Sequence, residues 1–284
     1  MDNKKVWFIT GASKGFGLSL VKQLLDAGQL VAATSRNLQE LTIAVGATTD
    51  DFLPLQVDLV KESSVSLALQ QTHEKFGKID VVINNAGYGI GGAIEELRDI
   101  ETRQAFDVNV FGTLNVIRFA MPYMREQRSG HIINIASIAG VAPGTGWAIY
   151  GATKAAVIAL TEVLSADVQS FGVKATVVIP GAFRTNFLTP EALTLTSTPI
   201  DAYEDVRASH QKMLHLNGEQ SGDPEKAAAA IINVVYEQNP PLHLLLGSDA
   251  YNRALAKYDA ITNEIHQWEE VTCATGFEDQ PSVN

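Results

Sequence analysis

The chain holds a single cysteine, Cys273, in 284 residues. One thiol cannot make an internal disulfide, so a disulfide-stapled secreted scaffold is excluded and a reducing compartment is expected. Positive charge is scarce, with 21 Lys and Arg against 32 Asp and Glu and a formal net charge of −11. The long-range field therefore repels nucleic acid and anionic membranes, and neither is expected as a partner. Long apolar runs are missing too. The N-terminus has only about five apolar residues before Gly11, too few for a signal-peptide core, and no later run approaches the roughly 20 residues of a membrane span. The cytoplasm is the default location. Six histidines and one cysteine show no metal-ligand clustering, so no metal is expected. Internal repeats and low-complexity segments are absent.

What is present fits a packed α/β enzyme. Hydrophobic residues make up 46% and charged residues 19%, a balance that excludes a largely disordered chain. The length suits one large domain over residues 1–284. Short Val- and Ile-rich runs at 6–10, 30–34, 52–57, 79–83, 131–135, 175–179 and 242–246 are apolar without alternation, which predicts strands covered on both faces. Between them, 16–27, 62–76, 102–124, 148–171 and 224–237 carry apolar residues at helical spacing. Strand and helix alternate, so the predicted fold is Rossmann-type: a doubly wound, seven-stranded parallel sheet with helices on both faces. Residues 182–222 are too long for an ordinary loop, are predicted helical around 203–216, and read as a substrate lid. A C-terminal extension covers 248–284, helical over 249–270 and frayed after 276.

Immediately after the first strand stands Thr10-Gly11-Ala12-Ser13-Lys14-Gly15-Phe16-Gly17, a glycine-rich turn opening a helix. Glycines let backbone amides approach a pyrophosphate, and the helix N-terminus adds positive partial charge; alone, the pattern can also be a plain tight turn. The acid expected at the end of the second strand is missing. The sequence there reads Thr34-Ser35-Arg36-Asn37, and Arg36 with Lys14 can hold a 2′-phosphate, which favours NADP(H), unless both are simply solvated cations. Asp58, just past the third strand, can contact adenine or cap the next helix. Asn84-Asn85-Ala86-Gly87 ends the fourth strand, where small and amide residues let the chain pass close to a ribose or just make a turn.

Tyr150-Gly151-Ala152-Thr153-Lys154 places a phenol and an ammonium four apart on one helix face, with Ser137 thirteen positions earlier. The ammonium is expected to draw the phenol's pKa down toward proton transfer at neutral pH, and Ser137 to donate to a substrate oxygen. An amphipathic helix bearing Tyr and Lys by chance is the competing reading.

Together these motifs, in order over residues 5–247, resemble the classical short-chain dehydrogenase/reductase family and its NADP(H)-preferring branch. The resemblance implies an oxidoreductase acting on alcohols and carbonyls with NADP(H). It implies Asn109, Ser137, Tyr150 and Lys154 as catalytic residues, Asn109 supporting a water-mediated relay to the lysine. For the cofactor it implies Gly11, Ser13, Lys14, Gly15, Phe16, Gly17, Arg36, Asp58, Asn85, Ala86 and Gly87. Tyr150 and Lys154 would join them, Lys154 at the nicotinamide ribose, with Pro180, Gly181 and Thr185 at the nicotinamide end. It also implies a homodimer or homotetramer through the helices at 102–124 and 148–171. For the small-molecule substrate, Trp147, Phe183, Phe187, Leu188, Met213 and Leu214 either border an apolar pocket for a hydrophobic or aryl ketone or belong to the core. A nucleotide sensor without turnover, or a dehydratase or epimerase on the same scaffold, are the alternatives.

Overall fold

A computed structural model of the chain describes residues 4–277. In chain order its elements are β1 (Val6–Ile9), α1 (Gly15–Asp26), β2 (Leu30–Ser35), α2 (Leu38–Val45), β3 (Phe52–Gln56), α3 (Glu62–Phe76), β4 (Val81–Asn84), β5 (Gly89–Gly91), α4 (Asp99–Phe106), α5 (Gly112–Gln127), β6 (Gly130–Ile135), α6 (Ala148–Val168), β7 (Val173–Pro180), β8 (Leu193–Leu195), α7 (Glu204–His215), α8 (Pro224–Val234), β9 (His243–Leu246), α9 (Ser248–Gln267) and α10 (Glu269–Cys273). Seven strands form one parallel sheet in the order β3-β2-β1-β4-β6-β7-β9, the doubly wound arrangement that the unbroken apolar runs predict. Pro54 lies in β3, an edge strand, where a missing N–H is tolerated.

Both sheet faces are buried. On one, Leu20, Val21 and Leu24 of α1 and Ile231 and Val234 of α8 pack against Trp7, Ile9 and Val31. On the other, Val65 and Leu69 of α3 and Val116, Ala120 and Met124 of α5 pack against Phe8, Ala32 and Val82. Each fully buried aliphatic side chain contributes about 1.5–3 kcal/mol. Local signals set the helix ends. The Asp223 carboxylate accepts the Glu225 N–H and Pro224 opens α8, while Gly77 at φ 78° stops α3.

Three features depart from the sequence reading. The helix predicted without interruption over 102–124 runs through a π-helical turn, Asp107–Phe111, between α4 and α5. Such turns insert one residue and re-aim the side chains around them. Secondly, β5 and β8 pair as a separate two-stranded sheet that the sequence does not announce, because three-residue strands joined across about a hundred residues leave no periodic signal. Thirdly, Ala148–Phe171 is long and apolar enough by composition, at a mean hydropathy of 1.3, to cross a membrane. Its longest unbroken apolar run is residues 155–160, far short of the roughly 20 residues of a span. In this fold it lies against β7 and carries buried Thr153, Lys154 and Thr161.

One carboxylate ties the 182–222 segment down. Glu96 is buried, accepts the Ala93 and Ile200 N–H groups at 2.7 Å each, and pairs with Arg207 of α7. Burial pushes its carboxyl up, but the bonds from Ile200, Arg207 and Ala93 outweigh this and hold it below its ordinary 4.5. A lowered folded pKa means stability that is present above pH 4.5 and is lost as pH falls through the folded value. Glu96→Ala is expected to lose about 2 kcal/mol, less than the roughly 3–5 kcal/mol of a fully buried pair because Arg207 keeps some solvent. Thermal melts of both proteins across pH 3–7 check it: the gap between them narrows on the acid side.

Candidate active site

The cleft follows from the sheet's direction. Strands that all run the same way deliver their C-terminal ends, and the turns after them, to one edge. There β1 supplies residues 10–17, β2 Arg36, β3 Asp58, β4 residues 85–87, β6 Ser137 and β7 Pro180-Gly181, all but Thr10, Ala12 and Gly17 lining one cavity of about 930 Å³.

The glycine turn is held by its neighbour. Asn85 Nδ2 donates to the Thr10 and Gly11 carbonyls at 3.0 and 2.9 Å, and Thr10 Oγ1 accepts the Asn85 and Ala86 N–H groups at 3.0 Å. Gly11 sits at φ 66°, and a Cβ there would lie 2.7 Å from Ala86 Cα, so only glycine closes this contact. Helix α1 starts with no side-chain cap and no acidic residue in its first turn. Its first amides thus face the cleft as an anion site. Beside them, Arg36 makes no ion pair among the described residues, whereas Lys14 lies 3.5 Å from Glu40. These residues fit a dinucleotide: a backbone cradle for the pyrophosphate, a cation past β2, and an ammonium deeper in.

That ammonium belongs to Lys154, which donates to the Ile135 carbonyl at 2.9 Å and sits 5.9 Å from the centre of the Tyr150 ring. Both side chains are buried. Burial pushes the Tyr150 phenol up to about 12, the Ser137 hydroxyl working against the shift, and brings the Lys154 ammonium down to about 8. The expectation that the ammonium draws the phenol's pKa down is therefore corrected: burial outweighs the Ser137 hydrogen bond, and the phenol keeps its proton at neutral pH. Ser137 begins a short turn in which its Oγ accepts the Ala139 N–H at 3.1 Å.

Most predicted residues meet here, and three do not. Among those that line the cavity are Ser13, Gly15, Phe16, Pro180, Gly181 and Thr185, with Trp147, Phe183, Phe187, Leu188 and Met213 at the substrate end. Gly17 lies beneath the turn, where a Cβ would press on the Gly11 carbonyl, so it serves packing. Asn109, in the π-helical turn, stands behind the cleft: its Oδ1 accepts the Tyr88 N–H and its Nδ2 donates to Tyr88 O and Thr153 Oγ1. Leu214 faces away and is 40% exposed. Leu216 lines the cavity instead, since residues 213 and 216 share a helix face and 213 and 214 do not. Asp58 does not cap α3, which Lys61 precedes; its carboxylate accepts the Val60 N–H at 3.2 Å, and the residue borders the cavity.

Sequence reading missed Ser209, Gln220, Asp249 and Arg253, which also line the cavity. Asp249 Oδ2 accepts the Ala182 N–H at 2.9 Å, so the start of α9 holds the turn after β7. An acid at the start of a helix, right after the last strand, was the available signal.

A parallel sheet with a glycine turn, a strand-four asparagine and a Ser-Tyr-Lys set on one cavity defines a nucleotide-binding oxidoreductase. Residues 5–194 match the short chain dehydrogenase family model, and the chain belongs to that family; it is an NAD(P)-dependent oxidoreductase. It is 34% identical over 273 residues to Oxidoreductase BOA17 of Botryotinia fuckeliana, covering 95% of this chain and 99% of that one. It is 35% identical over 243 residues to the 3-ketodihydrosphingosine reductase of Bacteroides thetaiotaomicron, covering 86% and 88%. Among solved structures, a short-chain dehydrogenase from Streptomyces avermitilis superposes with a TM-score of 0.90 at 36% identity, over 97% of this chain and 100% of that one. More distant neighbours carry either cofactor: ElxO with NADP bound (TM-score 0.71, 27% identity, 85% and 96% covered) and a Brucella melitensis 3-ketoacyl-(acyl-carrier-protein) reductase complexed with NADH (0.70, 26%, 85% and 96%).

Proposed function

We propose that the protein is an NADPH-dependent carbonyl reductase, in reverse an alcohol dehydrogenase, acting on hydrophobic or aryl ketones. One observation carries this reading: Ser137, Tyr150 and Lys154 border the same cavity as the glycine turn and the apolar side chains Phe183, Phe187, Leu188, Met213 and Leu216. When bound, the nicotinamide exchanges a hydride with the carbonyl carbon. The Ser137 hydroxyl donates to the carbonyl oxygen, and Tyr150 gives that oxygen its proton as negative charge develops there. Lys154 then faces the phenolate left behind and stabilises it, while Asn109, fixed by Tyr88 and Thr153, supports a water relay that returns the proton through Lys154. The Trp147 and Phe187 walls keep bulk water from the reacting oxygen.

The preference for NADP(H) rests on Arg36 and on the lack of an acid at the end of β2. Arg36→Ser is expected to raise KM for NADPH about 10–100-fold, the worth of a charge-assisted bond to phosphate, and to leave KM for NADH unchanged. Steady-state kinetics with both cofactors check it. Residues 1–284 are read as one domain with 182–222 as a substrate lid, assembling as a homodimer or homotetramer through α4, α5 and α6 in the cytoplasm. Reduced-nicotinamide oxidation across ketones from small aliphatic to bulky aryl tests the substrate class: rates that do not rise with apolar bulk overturn it.

A further inference from the structure

Helix α9 leaves the body of the molecule. Ala250 and Ala254 are buried against the core that Val157, Val177 and Ile179 build, but every described residue from Leu255 to Phe277 is exposed. A free helical stretch of that length is marginal in water on propensity alone. It also carries an apolar stripe. Tyr251, Leu255, Tyr258, Ile261, Ile265 and Trp268, between 37% and 59% exposed, recur at three- and four-residue steps and so share one face of a helix about 30 Å long.

Charge beside the stripe says what covers it. Lys257 and Glu264 stand seven residues, about two helical turns, apart and so lie on the same edge of the stripe. That edge is positive at its start and negative at its end. In an antiparallel pair of helices each edge faces its own copy with direction reversed, so Lys257 of one chain meets the Glu264 end of the other, twice. Residues 248–273 hold five acids, Asp249, Asp259, Glu264, Glu269 and Glu270, against two bases, Arg253 and Lys257. This balance opposes docking on an anionic bilayer.

We propose that α9 is a dimerisation helix through which two copies of this chain pair their stripes antiparallel, about a two-fold axis near Ile261. This contact is separate from any assembly through α4, α5 and α6, and does not depend on the catalytic reading.

Sedimentation equilibrium of the full chain at micromolar concentration tests it. Ile261→Glu with Ile265→Glu is expected to halve the assembly mass, with an unchanged circular-dichroism spectrum of the body. Lys257→Glu, and separately Glu264→Lys, are each expected to weaken self-association about tenfold, because like charges then face each other. Mixed one to one, these two variants are expected to recover the wild-type mass. Unchanged mass in the Ile261/Ile265 variant, failure of the mixture to reassociate, or loss in that variant of binding to phosphatidylcholine vesicles with its mass intact would each overturn the proposal.

Discussion

Replacing Tyr150 by phenylalanine is expected to lower kcat for ketone reduction about 10³-fold, inside the range that general acid catalysis contributes, and to leave the Kd for NADPH within about twofold. The reasoning starts from burial. The ring is 8% exposed, and the Phe187 ring centre lies 5.5 Å away, so phenylalanine keeps the same packing and loses only the hydroxyl. Burial pushes that hydroxyl up to about 12, so it bears a proton throughout the neutral range. Hydride addition turns the carbonyl oxygen into an alkoxide. Tyr150 and Ser137 border the same cavity as Phe187, Leu188 and Met213, so their hydroxyls are the side-chain donors placed to meet that alkoxide. Single-turnover oxidation of bound NADPH measures the step free of product release. A fall of less than about tenfold would show that the proton comes from elsewhere.

Lys154→Met is expected to reduce kcat/KM by about 10³-fold while raising the melting temperature, two effects of opposite sign with one cause. The ammonium is buried with a single hydrogen bond, to the Ile135 carbonyl, and burial brings it from 10.5 down to about 8. For a lysine that sign means a penalty. The folded state binds this proton less readily than the unfolded chain, so a cost of about 3 kcal/mol is fully present below pH 8 and is relieved as pH rises from 8 toward 10.5. Methionine removes the charge and the cost, and with them the group that stabilises the phenolate. The same pKa predicts that wild-type reduction falls as pH passes upward through about 8, when the ammonium loses its proton. Lys154→Arg, charged at every accessible pH, is expected to lack that alkaline limb even at a lower rate. A wild-type profile flat from pH 7 to 9.5 would overturn the assignment.

The legible part of this protein is local. Mostly apolar runs mark the seven strands of the main sheet because both faces of its centre are covered, and parallel strands then place every post-strand turn at one edge. Glycines 11 and 15, Asn85, Ser137 and Pro180-Gly181 could therefore be assigned to one cleft from their positions after strands. Tyr150 and Lys154 could be paired because four residues make one helical turn. Leu214 lies off the cavity because it is turned about 100° from its neighbour Met213 around α7, and Leu216, three residues past Met213, borders the cavity instead.

By itself the sequence determined the strand order's raw material, the cofactor turn, the tyrosine–lysine pair and the missing acid after β2, since each depends on residues a few positions apart. Only the tertiary structure decided how deeply Tyr150 and Lys154 are desolvated, and with that the direction of both pKa shifts. It alone joined β5 to β8, locked Glu96 onto Arg207 across more than a hundred residues, set Asp249 against the turn after β7, and left α9 projecting with its stripe uncovered. The physical reason is the same in each case. Desolvation and long-range pairing depend on which surfaces meet once the chain has closed on itself, and no window of neighbouring residues contains that information.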